Sequence, residues 1–210
     1  MTRILIADDH GVVRSGLRAI LDAQPSWEVV AEANDGKEAI LKAIETRPDV
    51  AVIDYSLPLI NGIEVTRQIR ARLPRTEVLI FTMHDNDMVV QEVLKAGAHG
   101  YLLKTDARRY VIAAIEALAS HRPFFTGKVS EALLGSFLTG ARGSESTLTN
   151  RERSVAQLIA EGHSNKQIAQ LLNISIKTVE THRASIMRKL KLSSSAGLVR
   201  YAIRNKLVEA

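Results

Sequence analysis

A chain of 210 residues with 46% hydrophobic and 24% charged residues has the composition of a packed globular protein of one or two domains. Twelve Gly and five Pro are too few for a low-complexity chain, and the lack of cysteine excludes a disulfide framework, a thiolate nucleophile and a cysteine zinc site. The formal charge of +5 is unevenly placed: residues 1–140 carry 16 Lys and Arg against 18 Asp and Glu, whereas residues 141–210 carry 12 against 5. An acidic first part suits cation and phosphoryl chemistry, and a basic last part suits a polyanion such as nucleic acid. No apolar run approaches the roughly 18 residues of a membrane span. Met1-Thr2-Arg3 leads into a short apolar stretch ending at Asp8 and Asp9 rather than into a secretory signal, so a cytoplasmic location without a membrane partner is expected.

From Arg3 to Ala119, short β-branched runs alternate with longer segments of helical period, the pattern of a parallel sheet covered by helices. Strands are expected at 4–7, 28–31, 50–53, 78–81 and 101–103, and helices at about 11–23, 36–46, 62–72, 86–96 and 106–119. Runs that are apolar at nearly every position fit strands buried on both faces. The stretch 121–146 changes character: Arg122-Pro123 opens a linker and Thr139-Gly140-Ala141-Arg142-Gly143-Ser144 closes it, with Val129, Leu133, Leu134, Phe137 and Leu138 spaced as one short amphipathic helix. Capping signals at Thr149 with Glu152, at Ser164 with Gln167 and at Ser175 then predict a bundle of small helices over about 150–161, 165–172, 176–190 and 195–205.

Asp8 and Asp9 follow the first predicted strand and Asp54 follows the third. In an open parallel sheet, the positions beyond the carboxyl ends of the strands share one crevice. Taken singly, Asp8 or Asp9 would suit a helix cap and Asp54 a turn. Together they make three converging carboxylates, which repel unless a cation lies among them, and an all-oxygen ligand set favours a hard ion such as Mg²⁺. Thr82 and Lys104 follow the fourth and fifth strands and bring a hydroxyl and an ammonium to the same rim. This combination suits phosphoryl transfer to a carboxylate nucleophile.

Ile6-Ala7-Asp8-Asp9-His10, Val52-Ile53-Asp54-Tyr55-Ser56-Leu57-Pro58, Ile80-Phe81-Thr82 and Gly100-Tyr101-Leu102-Leu103-Lys104 resemble, in order and separation, the receiver domain of two-component response regulators. The resemblance spans about residues 1–120 and implies a flavodoxin-like, doubly wound, five-stranded parallel α/β sheet. It implies further that Asp54 accepts a phosphoryl group from a sensor histidine kinase. Asp9, Asp54 and the Ser56 backbone carbonyl would ligate Mg²⁺, with Asp8 assisting through water. Thr82 and Tyr101 would form the switch pair, and Lys104 would bind a phosphoryl oxygen. Gly11 stands where many relatives have Pro, and Leu59-Ile60-Asn61-Gly62 replaces the more usual Gly-Met-Asp-Gly beside the site.

In the basic part, Leu148-Thr149-Asn150-Arg151-Glu152-Arg153, Glu161-Gly162-His163-Ser164-Asn165-Lys166-Gln167-Ile168-Ala169 and Ile174-Ser175-Ile176-Lys177-Thr178-Val179-Glu180-Thr181-His182-Arg183 resemble a LuxR-type helix-turn-helix domain. With the receiver-like part, this places the chain beside the NarL/FixJ subfamily, organised as a receiver over 1–120, a linker over 121–146 and a helix-turn-helix domain over 147–210. The helix from Ile176 would enter the major groove. Glu180, Thr181 and Ala184 would face the bases, while Lys166, Lys177, Thr178, Arg183 and Lys189 would meet phosphates. Val179, Ile186 and Leu190 follow core spacing.

These expectations combine into a DNA-binding response regulator, not an enzyme, whose phosphorylation at Asp54 favours a homodimer on paired promoter half-sites. An aspartyl-phosphate hydrolase would need a further acid/base carboxylate and a substrate pocket, for which no insertion is present. A constitutive DNA binder with an unphosphorylated receiver fold is the other alternative, and the intact acidic set argues against it.

Overall fold

The β-branched runs of the first part form parallel strands because each is flanked by a helix long enough to cross back over the sheet. The computed structural model describes residues 1–83, 87–126, 148–172, 174–205 and 207–208, and the amphipathic segment expected within 129–138 lies outside them. The chain divides into two compact units, Met1–Gly143 and Ser144–Ala210.

In the first unit, β1 (Thr2–Ala7), β2 (Trp27–Ala33), β3 (Val50–Asp54), β4 (Glu77–Thr82) and β5 (Gly100–Leu103) alternate with α1 (Gly11–Asp22), α2 (Gly36–Thr46), α3 (Gly62–Arg72), α4 (Asp87–Lys95) and α5 (Ala107–Ala119). With β6 at Phe124–Phe125, all strands are parallel in the order β2-β1-β3-β4-β5-β6. The sixth strand, β6 (Phe124–Phe125), was expected as the start of a linker and instead pairs with Gly100 and Tyr101 of β5. Its two aromatic residues have the β propensity that the Arg122-Pro123 signal obscured.

Successive strand residues alternate between two cores, as the pleat requires. Leu5, Ala7, Ile53, Ile80 and Tyr101 face Ala39 and Ile40 of α2, Ile63 and Ile69 of α3 and Val93 of α4. Ile4, Ile6, Val52, Phe81 and Leu102 face Leu17 and Leu21 of α1 and Val111, Ile115 and Leu118 of α5. Both faces are covered, which explains why the strands read as continuous apolar runs. Asp35 caps α2 and Asn61 caps α3, each side chain accepting from the amide three residues on.

The loop between β3 and α3 is tightly built. Gly62 donates its amide to Tyr55 O at 3.0 Å. A Cβ at Gly62 would stand 2.2 Å from Asp54 O, so only glycine lets α3 approach the end of β3 this closely. Leu59, in the same loop, adopts a left-handed φ of 64°, a conformation that costs a leucine on the order of 1 kcal/mol. Its half-buried side chain packs against the first core and offsets part of that strain.

At the amino-terminal end of β4, the buried Glu77 carboxylate contacts His99 Nδ1, lies 2.9 Å from His121 Nδ1 and lies 3.5 Å from Arg70 Nη1. Burial works to raise this carboxyl, but the imidazoles and Arg70 outweigh it and hold it below its ordinary value. The clasp joins α3, β4 and the segment following α5.

The second unit contains α6 (Asn150–Ala160), α7 (Asn165–Leu172), α8 (Ile176–Lys189) and α9 (Ser195–Arg204). Leu148, Val155, Leu158, Ile168, Leu172, Val179, Ile186 and Leu198 form its core. The expected turn after α6 uses Gly162 at φ 86°. Thr149 and Glu152 form a complete capping box, and Ser175 caps α8 by accepting from Thr178 N. Glu152 does more than cap: Ser185 donates to it at 2.7 Å and Lys189 at 2.6 Å, both from α8.

Burial would raise the Glu152 carboxyl, but bonds from Lys189, Ser185 and Thr149 hold it at about 2, below its ordinary 4.5. A depressed folded-state pKa stabilises above the unfolded value, so this contribution is lost as pH falls from 4.5 towards 2. Urea titrations of helical circular dichroism across that window should show a steeper acid loss in wild type than in Glu152→Gln. Separately, Gly62→Ala should destabilise the first unit by about 1–3 kcal/mol through overpacking against the β3 backbone, read from the urea midpoint of Trp27 fluorescence.

Candidate functional site

The carboxyl ends of β1, β3, β4 and β5 meet where the chain order reverses, between β1 and β3, the position at which such sheets form a crevice. Asp8 follows β1, while Asp54 and Thr82 are the last residues of β3 and β4. All three are buried, at 1%, 3% and 0% exposure. Lys104 follows β5 and is mostly buried, its Nζ 2.7 Å from Asp8 Oδ2 and 3.0 Å from Asp54 Oδ2. The five residues expected at strand ends are therefore brought together, Asp9 being the half-buried member of the set.

The electrostatics follow from this enclosure. Burial pushes the Asp54 carboxyl up to about 6, with Lys104 pulling it down and Asp8 pushing it further up, while the Ser56 amide donates to it. Burial alone would lower the Lys104 amine, and Asp54 and Asp8 together raise it above its ordinary value. One ammonium faces three carboxylates, so the pocket retains negative charge.

Asp8, Asp9, His10 and Asp54 each offer a ligand atom, all within 4.8 Å of one another. Asp8 Oδ2 and Asp9 Oδ1 are sealed from solvent without a hydrogen bond. Their neighbours at ion-pair distance are the Lys104 ammonium for the first and the His10 imidazole, with Nδ1 at 2.9 Å, for the second. Buried carboxylate oxygens with spare lone pairs are the donor set that a hard divalent cation requires, and the residues fit Mg²⁺. Helix capping does not account for the acidic pair, because the N-cap of α1 is His10 and it makes no side-chain cap bond. Tyr101 is fully buried within the core on the α4 side of the sheet.

In the second unit, α8 buries Val179 and Ile186 and exposes Lys177, Glu180, Thr181, Ala184 and Arg188 along one stripe. Thr181 Oγ1 donates to Lys177 O at 2.9 Å, and the Thr178 hydroxyl lies 2.8 Å from that of Ser175. Lys166 is exposed in the first turn of α7. Arg183 is half-buried and bridges three helices, donating to Ser195 Oγ at 2.6 Å and to Asn165 Oδ1 at 3.5 Å. Lys189 is held by Glu152. These two basic residues thus have partners inside the unit.

Two residues of these surfaces escaped the sequence reading. His10 joins the ligand cluster, and its position next to the acidic pair was the available signal. Arg188 continues the exposed stripe seven residues after Thr181, a spacing that periodicity alone could have flagged.

Comparison with known proteins identifies both parts of the chain. The family described as "Response regulator receiver domain" matches residues 4–116, and "Bacterial regulatory proteins, luxR family" matches residues 146–202. The "Oxygen regulatory protein NreC" of Staphylococcus epidermidis is 40% identical over 216 residues, covering 99% of each chain. A LuxR-family two-component response regulator from Aurantimonas superposes with a TM-score of 0.62 at 36% identity over 66% of this chain and 99% of the other. RcsB of Salmonella enterica bound to promoter rprA gives a TM-score of 0.66 at 28% identity over 95% of this chain and 97% of the other. No described helix is long and apolar enough to cross a membrane. The chain therefore belongs to the LuxR/NarL family of two-component response regulators, as a transcription regulator rather than an enzyme, with a receiver domain followed by a LuxR-type DNA-binding domain.

Proposed function

We propose that Asp54 is the phosphoacceptor of this regulator, in the cytoplasm, and that phosphorylation favours a homodimer bound to paired promoter sites. The observation that carries the reading is the enclosure of Asp54, Asp8 and Lys104 in one buried pocket at the strand ends. A carboxylate oxygen of Asp54 attacks the phosphorus of a kinase phosphohistidine, the phosphorus–nitrogen bond breaks, and the imidazole leaves with the electron pair and takes up a proton. The product is an acyl phosphate on Asp54.

Asp9, Asp54 and the Ser56 carbonyl would hold Mg²⁺, with Asp8 acting through water. When bound, this ion would neutralise charge on the transferring group. Lys104, freed from one of its carboxylate contacts, binds a phosphoryl oxygen. Thr82 binds another and draws its loop towards the acyl phosphate, while Tyr101 occupies the space inside the α4 face. The RcsB neighbour, described as promoter-bound in the presence of the phosphomimetic BeF3-, supports a link between this pocket and DNA binding.

On DNA, α8 lies in the major groove with Glu180, Thr181 and Ala184 towards the bases. Lys166, Lys177 and Thr178 meet the phosphate backbone. Arg183 and Lys189 can reach phosphates only at the edge of their existing contacts, so their contribution is divided between the fold and the nucleic acid. In this reading the receiver includes β6, and the two-fold dimer suits half-sites about 10 base pairs apart.

Incubation with Mg²⁺ and a small-molecule phosphodonor should add one labile phosphoryl to wild type and none to Asp54→Asn, read by intact mass. Gain by neither protein, with DNA binding intact, would replace this reading with that of a constitutive DNA binder. For the DNA surface, Lys177→Ala should weaken specific and random duplexes alike and reduce the salt slope by about one. Thr181→Ala should cost about 1–3 kcal/mol on preferred sites and little on random DNA, measured by fluorescence anisotropy at several salt concentrations.

A further inference from the structure

The turn that carries Asp8 and Asp9 has no side-chain cap from the helix it enters, yet its geometry decides where two of the three carboxylates stand. Its backbone is fixed from two sides. The Asp8 amide donates to Ala33 O of β2 at 3.2 Å, and the Asp8 carbonyl accepts from Arg14 Nη1 at 2.7 Å. The Asp8 side chain then turns the chain by accepting from His10 N at 3.0 Å.

Arg14 belongs to α1, and its side chain folds back towards the start of that helix with only 17% exposure. Its Nε lies 3.6 Å from Glu32 Oε2 of β2, and Glu32 in turn accepts from Arg18 Nη1 at 2.6 Å. One planar guanidinium thus hydrogen-bonds the carbonyl of the acidic turn while its Nε, which makes no hydrogen bond, stands at ion-pair distance from a carboxylate of β2, an arrangement for which a lysine ammonium has the wrong shape.

We propose that Arg14 is a positioning residue for the cation site: by holding the Asp8 carbonyl against α1 and β2, it sets the Asp8–Asp9 turn in the geometry that binds Mg²⁺. This rests on the reading of the pocket as a receiver site. The proposal has a sign that separates it from simple electrostatics. A positive charge near an anionic site weakens cation binding, so an Arg14 acting only as a charge would give tighter Mg²⁺ binding when removed. A positioning Arg14 gives weaker binding when removed, as loss of a group supporting metal ligands commonly does by about 10- to 100-fold.

The test is isothermal titration of Mg²⁺ into the full-length, unphosphorylated wild type, Arg14→Ala and Arg14→Lys, with melting temperatures in chelator measured alongside. The expected result is Mg²⁺ affinity lowered about 10- to 100-fold in Arg14→Ala and lowered less in Arg14→Lys. The Mg²⁺ concentration for half-maximal phosphorylation should rise in step while the plateau at saturating Mg²⁺ stays at the wild-type level. Unchanged or tighter Mg²⁺ binding in Arg14→Ala overturns the proposal. Should Arg14→Ala not fold, Arg14→Lys decides: weaker Mg²⁺ binding at a wild-type melting temperature supports positioning, and wild-type affinity overturns it. A wild type that takes up neither Mg²⁺ nor phosphoryl overturns the receiver reading instead.

Discussion

The first unit is organised around one buried ammonium. Lys104 reaches two carboxylates that burial has deprived of water, and without it Asp8 and Asp54 would face each other as like charges in a medium that cannot screen them. Breaking such a contact by removing the cation leaves an uncompensated buried charge, which ordinarily costs about 3–5 kcal/mol. The compensation is deliberately partial in physical effect, because one amine cannot neutralise three carboxylates. What remains is a standing demand for positive charge, confined to the sheet end where β1, β3 and β5 stop.

That demand explains the economy of the surrounding loops. Gly62 lets α3 press against the end of β3, Asn61 caps that helix, and Leu59 tolerates a left-handed backbone to complete the same turn. Each holds Asp54 from behind. On the other side, the β1–α1 turn is held by Ala33 and Arg14. The acidic groups are therefore fixed by backbone contacts rather than by one another, which is what allows them to be placed so close together.

Much of this was readable from residue order alone. The strand runs, the carboxylates at strand ends and the capping signals at Thr149 and Ser175 are local, and local patterns survive folding unchanged. Contacts between residues distant in sequence were not readable. Phe124 and Phe125 add a strand only because β5 offers a free edge, and Lys189, expected to meet phosphate, is a partner of Glu152 only because α6 and α8 cross there. Arg14 carries no local signal, since nothing in its spacing announces a bond to a backbone carbonyl six residues earlier. His10 and Arg188 lie between these cases, each adjacent to a recognised pattern yet outside its usual residue types.

The double use of Glu152 has a consequence for how the second unit opens and closes. The first turn of a helix ordinarily frays at little cost, independently of the rest of its domain. Here the carboxylate that closes the first turn of α6 is also the one that Ser185 and Lys189 of α8 hold. Fraying of that first turn costs α8 its two bonds to Glu152, and departure of α8 leaves the Thr149 cap in place while removing two of the bonds that hold the carboxylate. The start of α6 and the helix presenting Thr181 thus share part of their stability through one carboxylate.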